Sequence, residues 1–115
     1  MDITELVELC HQAAVEKGWW DDNNKTLPEQ IALMHSELSE ALEEYRLGHS
    51  PTEIYRVVTD GVASEKPEGI PIELADLLIR IFDTAGHYGI NLEDAIVKKM
   101  LYNQTRPHRH GGKLL

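Results

Sequence analysis

Seven charged side chains at helical spacing are the residues best placed to do chemistry in this chain. Glu37, Glu40 and Glu44 fall at intervals of three and four, and Glu73, Asp76, Arg80 and Asp83 repeat the pattern further along. Residues three and four apart share one helix face, so each set forms a stripe. The second stripe interrupts the segment 72–85, in which nine of fourteen residues are apolar. Such a helix is expected to be mostly buried, with one narrow charged sector. Carboxylates in that position are costly unless they are paired or bound to metal. If the two stripes face each other, four or five carboxylates converge in one pocket. Glutamates on an amphipathic helix commonly just face water, and that reading suits the first stripe taken alone. The second stripe, on an otherwise apolar element, tips the balance towards a metal site.

The donor set indicates the metal. Hard carboxylate oxygens suit Mg²⁺, with Mn²⁺ as a substitute. Zinc would call for His or Cys, and neither stripe contains one. A di-iron bundle would use Glu-x-x-His pairs, but His35 and His87 follow Ala32 and Thr84 at that spacing. Mg²⁺ keeps several waters and is commonly completed by substrate phosphates.

The elements that must position these residues are helices. Ile3, Leu6, Val7, Cys10, Ala13, Ala14 and Lys17 mark one over 3–17, with Asp2 and Glu5 at capping-box spacing and Gly18 as the stop. Thr26, Pro28 and Glu29 start a second, running to about Leu47. A third is expected from about Pro71 to Tyr88, its end marked by Gly86 and Gly89. A fourth runs from the Asn91 cap to about Thr105. The 48–70 segment is irregular, with a short helix expected at 51–58, loop from Asp60 to Gly69, and no clear strand. One domain, 1–115, is expected, all-α and resembling a four-helix bundle.

The 115 residues include 20 acidic and 11 basic ones, a net charge of -9. This disfavours duplex nucleic acid as a partner. Cys10 is the single cysteine and reads as a packing residue. No segment reaches the roughly 18 apolar residues of a membrane span. The opening MDITELVELC is no signal peptide, so a cytoplasmic protein is expected.

Glu37-x-x-Glu40, Glu73-x-x-Asp76 and Lys99-x-x-x-Asn103-x-x-Arg106, in that order, resemble the MazG-like branch of the all-α nucleoside triphosphate pyrophosphatase superfamily. KPEGIPIELADLLIRIFD and KKMLYNQTRPHRHGGK are especially close to it, and the resemblance is strong from about Leu27 onward. It implies a helical core completed by homodimerisation, sometimes into a homotetramer. It implies Mg²⁺ on Glu37, Glu40, Glu73 and Asp76, and water attack between the α and β phosphates of a nucleoside triphosphate. Lys99, Asn103 and Arg106 match phosphate-contacting residues. Many members carry a double glutamate where this chain has Ser36-Glu37, so one outer acid is absent and the number of metal ions stays open.

Within that resemblance, Glu37 and Glu40 are the candidate catalytic carboxylates, with Glu40 as the general base. Trp20 is a candidate for stacking on the base, although at least one of Trp19 and Trp20 is expected to cover a helix end or an interface instead. Tyr102, beside Asn103, is placed either at the site or in the core. Arg80 is expected to pair with Glu73, Asp76 or Asp83, with Asp83 in a supporting position. His108 and His110 join Arg106, Arg109 and Lys113 in a basic tail. Three functions follow: a house-cleaning triphosphate pyrophosphohydrolase, a pyrophosphohydrolase acting on a phosphoribosyl-nucleotide, or a helical interaction module without catalysis.

Overall fold

The computed structural model describes residues 1–22 and 24–114, with the His110 side chain outside the description. The chain is mostly helical: α1 (Ile3–Glu16), α2 (Leu27–Arg46), α3 (Ile70–Tyr88), α4 (Leu92–Gln104) and the short α5 (Arg109–Gly112), with a two-stranded hairpin of β1 (Val58–Thr59) and β2 (Val62–Ala63). Three helix starts use side-chain caps. Asp2 accepts from the Glu5 N–H, Thr26 from Glu29 and Asn91 from Asp94, each satisfying a donor left open by the first turn.

α3 is the central element, packed against both α1 and α2, while α4 meets α1 more lightly. Glu40 reaches Glu73, and Arg80 reaches Glu37, so α2 and α3 run antiparallel. The Cα radius of gyration is 17.5 Å, against about 13 Å for a compact chain of this length. The buried apolar residues among those described are Ala41, Phe82 and Ala85.

Three expectations need correction. The segment at 51–58 is not helical: Tyr55 bridges to Glu68, and β1 and β2 pair antiparallel with Val58 opposite Ala63 and Thr59 opposite Val62. Asp60 and Gly61 form the turn at φ 51° and 78°. An Asp-Gly pair between β-branched residues is a strong hairpin signal, because both turn positions require positive φ. Second, α3 is less buried than its composition suggests. Leu78 and Ile79 are 48% and 50% exposed, while the acid Glu73 is 9% exposed. Third, Gly86 lies inside α3. A Cβ there would run into the His11 side chain, so this glycine permits the close α1–α3 approach. Gly69, before α3, is held at φ 127° against the Glu53 carbonyl. That contact ties the base of the hairpin to the first turn of α3, close to Glu73.

Candidate functional site

The two acidic stripes meet. One carboxylate oxygen each from Glu37, Glu73 and Asp76 lie within 4.8 Å of one another. Glu37 and Glu73 are buried, Asp76 is half-buried, and Glu40 stands exposed beside Glu73. Burial pushes the Glu73 carboxyl up to about 7, helped by a hydrogen bond to the Glu40 carboxylate and by the charges of Glu40, Asp76 and Glu37. Burial also raises Asp76, as does Glu37, while Arg80 and Lys66 pull it down.

Arg80 pairs with Glu37 rather than with Glu73, Asp76 or Asp83: its Nε donates to Glu37 Oε1 at 2.7 Å. Glu73 Oε2 is buried and has no hydrogen-bond partner among the described residues. An unpaired buried carboxylate oxygen is costly, and a hard divalent cation is the partner this all-oxygen donor set fits. Glu37, Glu73 and Asp76 would hold it, with Glu40 at the rim.

Glu44 leaves the stripe. It accepts both contacts of the Tyr55 hydroxyl, at 2.9 and 2.8 Å, and these push Tyr55 up to about 12. His49 stacks on Tyr55 and contacts Glu44 and Glu53. This knot fastens the hairpin arm to the end of α2.

A cavity of about 730 Å³ opens from the acidic cluster between α1, α2 and α3. Glu37, Asp76 and Arg80 line it, as do Gln30, Asp83, Trp19, Trp20 and Lys25. Trp20 is anchored in this wall. Its indole N–H donates to Asp83 Oδ1 at 2.8 Å, and its ring stacks on His87 at 3.7 Å with planes 6° apart. His11 Nδ1 reaches the same Asp83 oxygen at 2.9 Å. Trp19 is 62% exposed, and the Lys25 ammonium lies 5.2 Å and 5.6 Å from the Trp19 and Trp20 ring centres. Cys10 also lines the cavity, its thiol pushed up by burial and by Asp83, away from the thiolate that a nucleophilic cysteine needs.

The structure therefore brings Glu37, Glu40, Glu73, Asp76 and Trp20 to one place. Lys99, Asn103, Arg106 and Tyr102 stand apart on and just beyond α4, outside the residues lining the cavity. Lys99 and Arg106 instead flank the Tyr102 ring, at 4.9 Å and 5.8 Å, and Tyr102 is 56% exposed rather than in the core. Sequence reasoning missed Gln30, Lys25 and His11. Gln30 had a legible signal, since it precedes Glu37 by seven residues on one face of α2; Lys25 and His11 had none. Comparisons with protein-family models, curated proteins and solved structures found no match. Among the described residues, no helix is long and apolar enough to cross a membrane.

Proposed function

We propose that this chain is a Mg²⁺-dependent nucleoside triphosphate pyrophosphohydrolase of the MazG-like kind, converting a triphosphate and water to a monophosphate and pyrophosphate. The observation that carries this reading is the convergence of Glu37, Glu73 and Asp76 within 4.8 Å at the edge of a cavity that also holds Trp20. Bound Mg²⁺, or Mn²⁺ in its place, supplies charge neutralisation and Lewis acidity towards the phosphates. The chain supplies the rest. Arg80 fixes the Glu37 carboxylate through one charge-assisted hydrogen bond. Glu40, exposed at the rim, is positioned to take a proton from the attacking water. The cavity takes up the nucleoside.

Lys99, Asn103 and Arg106 keep their proposed role as phosphate contacts, and we assign that role across a homodimer or a pair of such dimers. Two features favour a second copy: the small apolar core, and the exposed Leu38, Leu42 and Tyr45 of α2 and Met100, Leu101 and Tyr102 of α4. These side chains are already about half-buried, so covering the rest is worth on the order of 1 kcal/mol each. A cytoplasmic location goes with the nucleotide substrate.

The test is pyrophosphate release from a panel of standard and modified nucleoside triphosphates, with Mg²⁺, with Mn²⁺ and with chelator. Release is expected with either metal and is lost in Glu73→Gln and Asp76→Asn. Co-assembly of Glu73→Gln chains with Arg106→Ala chains restores part of the activity. Absence of metal-dependent release from every substrate in the panel refutes the assignment.

A further inference from the structure

The cavity has a second end, which the acidic cluster does not explain. α2 and α3 run antiparallel along it, and each presents one polar residue two helical turns from its metal-facing acid. Gln30 precedes Glu37 by seven residues and Asp83 follows Asp76 by seven, about 10.5 Å of helix rise in each case. That is the span between the α-phosphate and the outer edge of the base in a nucleotide.

Gln30 is 7% exposed, yet it lines the cavity. Its backbone N–H is used by Thr26 O. Its side-chain amide makes no hydrogen bond to the described residues, and so presents one acceptor and two donors to the cavity. Asp83 Oδ1 already serves Trp20 and His11, and one face of Trp20 is covered by His87. The Lys25 ammonium, over Trp19 and Trp20, is a flexible cover that a planar ring can displace.

We infer that Gln30 is the base-reading residue of this chain, pairing its carboxamide with an adjacent donor and acceptor on the edge of a nucleobase. This rests on the nucleotide reading of the site above. A primary amide matches such an edge bidentately. The amide atoms open onto the cavity, so a base would take the place of water there, and a substrate without the heterocycle forgoes that exchange. Gln30 is a specificity residue, too far from the acidic cluster to act on the phosphates.

The experiment compares wild type with Gln30→Met, an apolar side chain of similar length. Two readouts are used: pyrophosphate release from nucleoside triphosphates against hydrolysis of inorganic tripolyphosphate, and titration of uridine and adenosine followed by the Trp20 indole N–H signal in NMR without metal. Gln30→Met is expected to lower kcat/KM for nucleoside triphosphates at least about tenfold, leave tripolyphosphate hydrolysis unchanged, and weaken nucleoside binding by a similar factor. Gln30→Asn withdraws the amide and gives the same pattern if the methionine variant does not fold. Equal loss with both phosphate substrates, equal nucleoside binding by variant and wild type, or no nucleoside binding by wild type overturns the inference. Gln30-dependent nucleoside binding without pyrophosphate release leaves the inference standing and sinks the hydrolase assignment.

Discussion

Replacing Glu73 by Gln should stabilise the metal-free protein and destabilise the metal-loaded one. In the fold, the Glu73 carboxyl is raised from 4.5 to about 7 by burial and by its acidic neighbours, so the fold favours the protonated form. The contribution of that form is fully present below pH 4.5 and is lost as pH rises through 7. At 1.36 kcal/mol per pH unit the ceiling is about 3 kcal/mol. Water at the open, Glu40 side of the cluster screens roughly half, leaving about 1–2 kcal/mol. For 115 residues this is a melting shift of about 4–8 °C. Glu73→Gln is neutral at every pH, so without metal it should melt higher than wild type by that amount at pH 8 and keep only about a quarter of that gain near pH 5. With Mn²⁺ at a hundredfold its dissociation constant, wild type gains about 2.7 kcal/mol, and the variant loses most of that gain. Thermal melts at fixed protein concentration, at both pH values and with and without Mn²⁺, read all four conditions. A variant shift that is independent of pH, or an equal Mn²⁺ gain in both proteins, would refute the reasoning.

Trp20→Phe keeps the stack on His87 but removes the indole donor to Asp83, and should cost about 1–2 kcal/mol in urea unfolding. Arg80→Met leaves Glu37 with its charge unpaired in a buried position; a loss of about 1–3 kcal/mol is expected without metal and a smaller one with Mg²⁺, read by melts under the two conditions. Gly61→Ala forces a Cβ into the left-handed turn at φ 78° and should cost about 1 kcal/mol. Its effect should be concentrated in faster amide exchange at the Tyr55–Glu68 pairing.

Helix positions were legible because caps and periodicity agree at each start: Asp2, Thr26 and Asn91 all cap as their spacing predicts. The pairing of Glu37 and Glu40 with Glu73 and Asp76 was legible for a different reason, namely that acids flanking an apolar stripe must turn towards the same neighbour. The hairpin was misread because prolines at 51, 67 and 71 dominated that segment, while the Asp60-Gly61 signal lies within it. Glu44 was misassigned because helical spacing cannot report a tyrosine eleven residues away that claims the carboxylate. The exposed leucines of α3 follow from a limit of periodicity, which marks a surface to be covered without saying which chain covers it. Lys99, Asn103 and Arg106 share that limit: spacing puts them on or beside one helix, and the angle of that helix to the others is a tertiary property.

The missing side chain at position 86 acts as a spacer set to its smallest value. It fixes how near α1 comes to α3 beside His11, and with it the separation of the two walls that carry Cys10, Ala13 and Ala14 on one side and Asp83 and Ile79 on the other. Pocket breadth is thus governed from a point outside the acidic cluster, where adding a single methyl would wedge the helices apart. The chain has a way to resize what it admits without disturbing the groups that would hold the cation.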